Sequence, residues 1–151
     1  MDKVFCIGEL LIDFIGKDIN KGIKNGANFE KKAGGAPANV AASVAKLSGN
    51  ASFISQLGED AFGDHIIDVL RDANVNTDYI MRTNKANTGL AFVSLKEDGN
   101  RDFSFYRNPS ADLLLEDNML EENWFENCGI LHFCSVDLVE SPMKYTQKKS
   151  Y

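Results

Sequence analysis

The stretch Gly34-Gly35-Ala36-Pro37-Ala38-Asn39-Val40-Ala41 describes a tight turn that leads directly into a helix. Two adjacent glycines allow left-handed backbone angles and let a ligand approach the main chain, while Pro37 suits a first helical turn. Asn39 then lies within that turn, where free N–H groups and the helix dipole favour oxygen-rich ligands. The stretch therefore predicts a polar binding loop, although an ordinary strand-to-helix turn would use the same residues.

The composition describes one globular domain with little affinity for nucleic acid. The chain has 151 residues, of which 44% are hydrophobic, and this is enough for one core. Its 16 basic and 22 acidic residues give a net charge of −6, which opposes binding to a phosphate backbone. The sequence shows neither a signal peptide nor an apolar run of membrane-spanning length, so we expect a cytoplasmic location.

Cysteine and histidine positions argue against a disulfide framework and against a metal site. Cys6, Cys128 and Cys134 are odd in number and lie in apolar segments, so we expect free thiols. The histidines, His65 and His132, form no metal-ligand spacing with them, and we assign no metal to this chain.

Strand-like and helix-like segments alternate along the chain. Apolar runs at 4–7, 51–57 and 129–134 predict buried strands. Helices are expected at 37–48, with Val40, Val44 and Leu47 on one face, and after Gly58 to about residue 73. Ser141 and Pro142 are typical of the start of a further helix. This order predicts an α/β fold with a parallel, doubly wound sheet.

One stretch departs from this alternation and predicts a β-hairpin. Residues 89–95 and 101–107 are strand-like, and Asp98-Gly99 between them is a strong turn signal. Alternation places Phe103, Phe105 and Arg107 on one face of the second strand. If that face closes over a cleft, the phenyl rings exclude water and Arg107 donates to hydroxyl or carboxylate oxygens. The alternative is a packed hairpin with Arg107 extended into solvent.

Two acidic clusters follow the first two predicted strands. Gly8-Glu9-Leu10-Leu11-Ile12-Asp13 places Asp13 after the first strand, where open α/β sheets bind ligands, and its carboxylate could accept hydrogen bonds from hydroxyl groups. A solvated loop acid is the alternative. In Gly58-Glu59-Asp60-Ala61-Phe62-Gly63, Asp60 is expected to cap a helix.

Taken together and in order, the clusters resemble the ribokinase-like carbohydrate kinases, the phosphofructokinase-B family, and their bacterial fructokinase branch in particular. The resemblance covers about residues 3–143 and is carried by Gly8 to Asp13, Gly34 to Ala41, Gly58 to Gly63, Thr88-Gly89 and Tyr106-Arg107. It implies a Rossmann-like ribokinase fold with a small β-sheet lid. The implied core covers about residues 1–12, 36–87 and 108–151, and the implied lid covers about 13–35 and 88–107.

The resemblance also implies an activity and a set of binding residues. The family transfers the γ-phosphoryl group of Mg2+-bound ATP to a sugar hydroxyl, and the fructokinase branch implies conversion of fructose to fructose 6-phosphate. Carried over by position, Asp13, Gly34, Gly35 and Asn39 would hold the sugar. Phe105 and Arg107 would contact it from the lid.

The chain departs from the family pattern in its length. Family members are about twice as long, and their C-terminal half supplies the nucleotide site and a Gly-Ala-Gly-Asp motif with the catalytic base. We therefore expect the N-terminal half of a truncated kinase, without catalytic residues or an ATP site of its own and inactive by itself. The alternative is a non-catalytic sugar-binding or regulatory module. A strand edge near residues 130–134 predicts a homo-oligomer or a complementary C-terminal half as partner.

Overall fold

The computed structural model describes residues 2–150 and divides its strands between two four-stranded sheets. The strands are β1 (Lys3–Ile7), β2 (Leu11–Gly16), β3 (Phe29–Gly34), β4 (Asn50–Gly58), β5 (Ile80–Thr83), β6 (Gly89–Leu95), β7 (Arg101–Tyr106) and β8 (Cys128–Phe133). The helices are α1 (Gly22–Asn25), α2 (Ala36–Lys46), α3 (Ala61–Asp72) and α4 (Pro142–Lys149). Short 3-10 turns lie at Ala111–Leu114, Asp117–Met119, Glu122–Phe125 and Ser135–Asp137.

The first sheet, sheet A, is parallel and has the strand order β5-β4-β1-β8. Alternate residues of its central strands contribute side chains to two apolar clusters on opposite faces, because successive side chains of a strand point to opposite sides. One cluster joins Cys6 and Phe53 to helices α2 and α3, and the other joins Phe5 and Ile54 to Met143 of α4. The predicted α/β fold with a doubly wound parallel sheet is confirmed.

Helix starts follow the sequence signals. Ser141 precedes α4, and its side chain accepts a hydrogen bond from the Lys144 N–H, as predicted. Asp60 caps α3 by accepting the Gly63 N–H at 2.8 Å, as also predicted. These contacts are local, so they can be inferred from spacing alone.

The buried face of α2 differs from the prediction. The helix buries Ala38, Ala41 and Ala45, while Leu47 lies beyond its last turn and is 85% exposed. Small alanine side chains let the helix axis approach sheet A closely, and the bulkier Val40 and Val44 pack at the margin. The expected inward position of Leu47 is therefore wrong.

The second sheet, sheet B, has the order β3-β2-β6-β7 and contains the predicted hairpin as β6 and β7. Gly99 has a φ of 81° in the turn of this hairpin, a conformation that favours glycine. Strand β2 pairs in parallel with β6 and antiparallel with β3, so sheet B is mixed. Strands β2 and β3 extend this sheet beyond the hairpin on the β6 side.

One face of sheet B packs on the rest of the molecule. Phe14 stacks on Phe92 with ring centroids 5.0 Å apart, and Phe62 of α3 meets Phe14 edge-on at 5.8 Å. Tyr106 of β7 contacts Phe92 from the other side at 5.5 Å. This aromatic row fixes the orientation of the sheet relative to α3, and it leaves the opposite face open.

Strand β8 forms one edge of sheet A, where Ile130 is 57% exposed.

All three cysteines are free, as predicted, and burial raises the pKa of the Cys6 thiol to about 12. Within residues 2–150, no helix has both the length and the apolar character needed to cross a bilayer.

Candidate functional site

The loop before α2 runs against the end of β1. Gly35 precedes the helix with a φ of 121°, and a Cβ at this position would collide with the Glu9 carbonyl oxygen. Only glycine combines this backbone angle with so close an approach. Pro37 lies in the first turn of α2, so the predicted tight turn into a helix is confirmed.

Asp13 and Gly34 are in direct proximity. A Cβ on Gly34 would overlap the Asp13 carboxylate, so the missing side chain makes the space that this carboxylate occupies. Asp13 is half-buried, and burial raises the pKa of its carboxyl group. Within residues 2–150 its carboxylate has neither a hydrogen-bond partner nor an ion-pair partner, so its acceptor capacity is available to a ligand.

The register of sheet B places Asp13 and Phe105 on the same face. Lys32, Asp13, Ala91 and Phe105 form one cross-strand row through β3, β2, β6 and β7. Residues in such a row point to the same side, and two strand spacings separate Asp13 from Phe105 by roughly 10 Å. Phe105 stacks on Phe103, and the two rings are 58% and 52% exposed. This face, which is opposite the packed aromatic row, is called the open face below.

Asn39 lies in the first turn of α2 and is exposed. Its N–H donates to the Gly35 carbonyl at 3.0 Å, and within the described range no hydrogen bond reaches its side-chain amide. Asn39 and Gly34 line one cavity of about 380 Å3 together with parts of α2 and α3. Asp13 is not in that lining, so this cavity does not bring Asp13 and Asn39 together, although Gly34 borders both the cavity and the Asp13 carboxylate.

Arg107 follows β7 and turns away from solvent into a cluster of acidic side chains. Its Nη1 donates to Glu9 Oε2 at 2.5 Å, its Nη2 donates to Asp112, and its Nε donates to Ser110 Oγ at 3.3 Å. Asp137 Oδ1 lies 3.6 Å from Nη2. The Arg107 side chain is only 11% exposed, so the predicted alternative of an arginine extended into solvent is wrong.

Sequence reasoning did not assign Glu9, Asp112 or Asp137 to any site, and the structure brings them together here. The Asp112 and Asp137 side chains are fully buried. Burial is the main reason that the pKa of Asp137 rises to about 6, and nearby Asp112 and Glu9 raise it further. Burial also raises the pKa of Glu9, although Arg107 opposes that shift. The one available signal was the arginine at the end of an otherwise aromatic strand face.

The described residues contain no cluster of three or more side chains that could hold a metal ion. Asp60 accepts the Thr88 N–H at 2.8 Å as well as capping α3. The N–H groups of Thr88 and Gly63 hold the pKa of Asp60 below its usual value, although partial burial opposes them. Asp60 therefore joins α3 to the start of β6 and has a structural role.

The profile of the pfkB family carbohydrate kinases matches residues 1–148. The chain belongs to this family. Among curated proteins, the probable fructokinase-6 (chloroplastic) of Arabidopsis thaliana is 44% identical over 141 residues, covering 93% of this chain and 37% of that protein. Fructokinase-2 of Zea mays is 40% identical over 141 residues, with 93% of this chain and 42% of that protein covered.

Solved structures of family members have the same fold. The fructokinase from Xylella fastidiosa matches with a TM-score of 0.88 and 41% identity, covering 98% of this chain and 45% of that chain. A putative ribokinase II from E. coli matches with a TM-score of 0.93 and 30% identity, covering 99% and 49%. The predicted family and ribokinase-like fold are confirmed, and the chain spans less than half the length of each of these relatives.

Proposed function

We propose that this chain supplies the sugar-binding and lid half of a kinase that phosphorylates fructose to fructose 6-phosphate. The observation that carries the proposal is the Asp13 carboxylate, which is half-buried, has no partner within residues 2–150 and lies beside Gly34 on the open face. A carboxylate in this position can accept two hydrogen bonds from neighbouring hydroxyl groups. The fructokinase relatives support fructose as the sugar.

Each remaining site residue has a place in this proposal. Gly34 and Gly35 let the sugar approach the main chain, and the free Asn39 amide offers both a donor and an acceptor. Phe105 extends from the same face as Asp13 and would cover the sugar with an apolar surface. Arg107 borders the site from the base of the lid and is proposed as a contact to a sugar hydroxyl.

Arg107 also supports a neutral sugar over a sugar acid. A sugar carboxylate is best bound by a guanidinium with a free pair of parallel donors, but Glu9, Ser110 and Asp112 already take one N–H from each nitrogen of Arg107. The N–H groups that remain suit a single hydrogen bond to a hydroxyl oxygen. The Asp13 carboxylate on the same side of the molecule would repel a second negative charge. An uncharged hexose meets neither obstacle.

ATP and Mg2+ are proposed as co-substrate and metal, although residues 2–150 contain no group of three or more His, Cys, Asp or Glu side chains that could hold a metal ion. A Xylella fastidiosa fructokinase structure is described as having bound ATP, and that protein is more than twice as long as the part matched here. We propose that the nucleotide, the metal and the catalytic base are held outside this chain, and we expect no turnover by the chain alone.

Strand β8 is the proposed contact to that second half. It pairs only with β1 within the described residues, so its outer main-chain groups can pair with a further strand. Ile130 exposes apolar surface on this strand. A complementary half is our preferred partner, with a second copy as the alternative, and a clean monomer by light scattering at micromolar concentration would contradict self-association.

Sugar binding is the first test. We expect calorimetric titration to show binding of D-fructose to the chain, weaker binding of D-ribose or a nucleoside, and none of a ketodeoxy-sugar acid. Asn39→Ala should reduce fructose affinity about tenfold, because the hydrogen bonds between the uncharged Asn39 amide and the sugar are lost. Asn84→Ala, which changes an exposed loop residue, is the matched control. Equal affinity for the sugar acid, or no effect of Asn39→Ala, would contradict the proposal.

Phosphoryl transfer is the second test. We expect ATP-dependent phosphorylation of fructose when the chain is mixed with a separately expressed C-terminal half, and about tenfold lower kcat/KM for fructose when the Asn39→Ala variant replaces the chain in the mixture. Fructose binding without turnover in any mixture would instead support the non-catalytic sugar-binding or regulatory module.

A further inference from the structure

Glu9 contacts three separate parts of the structure. Its N–H donates to Asp137 Oδ2 at 2.7 Å, which fixes its main chain to the turn before α4. Its carbonyl oxygen abuts Gly35, so closely that the loop could not carry a Cβ there. Its carboxylate accepts from Arg107 at 2.5 Å. The residue therefore joins the core, the loop before α2 and the base of β7.

The ion pair between Glu9 and Arg107 can carry a displacement of β7 to the main chain of Glu9. Arg107 comes directly after Tyr106, the last residue of β7, and two residues after Phe105 of the open face. Both the Glu9 and the Arg107 side chains are about nine-tenths buried, so solvent screens their attraction weakly. A movement of β7 would have to stretch this ion pair or pull on the Glu9 main chain.

We propose that Glu9 is a positioning residue that couples the lid strand β7 to the sugar-binding loop through its contacts with Arg107 and Gly35. The coupling to sugar rests on the function proposed above, whereas the mechanical link between the two segments does not. Glu9 itself need not touch the sugar. Its effect is to hold Phe105 and the Gly34–Asn39 loop at a fixed separation.

Hydrogen exchange on the sugar-free chain tests the link directly. The reporters are the Asn39 amide, which donates to Gly35, the amides of β7, and the Phe53 amide, which donates to Asn76 in the core. Glu9→Gln keeps the size of the side chain and removes its charge. We expect it to accelerate exchange of β7 and of Asn39 about tenfold, because a charge-assisted hydrogen bond is weakened, with Phe53 unchanged.

A double-mutant cycle shows whether Glu9 and Arg107 act together on the Asn39 amide or whether each variant only destabilises its own surroundings. If Glu9 acts through Arg107, Arg107→Lys should also accelerate exchange at Asn39, and adding Glu9→Gln to it should have little further effect. Glu126→Gln, at an exposed site, is the matched control and should change none of the reporters. Acceleration confined to β7, or effects that add in the double variant, would overturn the proposal.

Addition of D-fructose distinguishes this proposal from the proposed function. We expect fructose to slow exchange of β7 in the unmodified chain and to do so less in Glu9→Gln, whose fructose dissociation constant should rise about tenfold. If the unmodified chain does not bind fructose, the proposed function fails, and the sugar-free exchange pattern still decides the role of Glu9. Unchanged affinity in Glu9→Gln would overturn the coupling to sugar.

Discussion

Asp13 and Glu9 come from the same short motif, yet the structure gives their carboxylates opposite surroundings. Glu9 lies in the buried charge cluster formed with Arg107, Asp112 and Asp137, and its carboxylate is ion-paired. Asp13 lies on the open face, where its carboxylate has no partner among residues 2–150. A buried ion-paired carboxylate makes the loss of its partner costly, whereas a half-buried carboxylate without a partner is suited to a ligand.

The largest effect we expect is the loss of stability in Arg107→Met. This change leaves the Glu9 and Asp112 carboxylates buried without their cation, which costs about 3–5 kcal/mol of the free energy of unfolding. Arg101→Met, at an exposed position of the same hairpin, should change it by less than about 0.5 kcal/mol. Urea denaturation measures both, and equal effects of the two variants would show that the cluster contributes little.

The second prediction concerns Asp137 and pH. Its pKa of about 6 in the folded protein exceeds the unfolded value of 3.8, so the folded state binds the extra proton between these values. The stability that Asp137 contributes is therefore fully present below pH 3.8 and is lost as the pH rises through about 6. Two pKa units correspond to at most about 3 kcal/mol.

Asp137→Asn keeps an acceptor for the Glu9 N–H and removes this titration. Relative to the unmodified chain, the variant should gain stability between pH 4 and pH 8, measured by urea unfolding at several pH values. Asp68→Asn, at an exposed site, serves as the control. A stability difference that does not change with pH would show that Asp137 is not the titrating group.

On the open face, Asp13→Asn should affect binding more than folding. We expect fructose affinity to fall about thirtyfold, or about 2 kcal/mol, because charge-assisted hydrogen bonds become neutral ones. The free energy of unfolding should stay the same or rise slightly, since a partly desolvated charge is removed. Calorimetric titration and urea unfolding of the same variant separate the effects. A large loss of stability would place Asp13 with the buried cluster instead.

The smallest expected effect is that of Phe105→Ala. The ring is exposed and contacts Phe103 at a centroid distance of 5.8 Å, so its removal should change stability by less than about 1 kcal/mol. Fructose affinity should fall about threefold, because the sugar loses part of its apolar cover. Tyr106→Phe changes the opposite face of β7 and should leave affinity unchanged. Titration of both variants tests whether the two faces differ in this way.

Several features of this chain could be predicted because they depend on neighbouring residues. The Asp-Gly turn, the Ser141 and Asp60 caps and the glycine pair before α2 were all correct, since each is a contact within a few positions. Leu47 was placed wrongly because hydrophobicity alone suggested an inward position, whereas close packing on sheet A selected the alanine face of α2. The sugar contacts themselves stay predictions.

The sequence by itself determined the alternation of strands and helices, the β6–β7 hairpin and the membership of the carbohydrate kinase family, because these depend on local spacing. Tertiary structure decided that the Glu9 carboxylate is ion-paired and that the Asp13 carboxylate has no partner among residues 2–150. Glu9 meets Arg107 across 98 positions and Asp137 across 128, and no local pattern encodes contacts at such separation. Burial then turned one acid into part of an ion-paired cluster, while the register of sheet B left the other beside Gly34 with its hydrogen-bonding capacity unused.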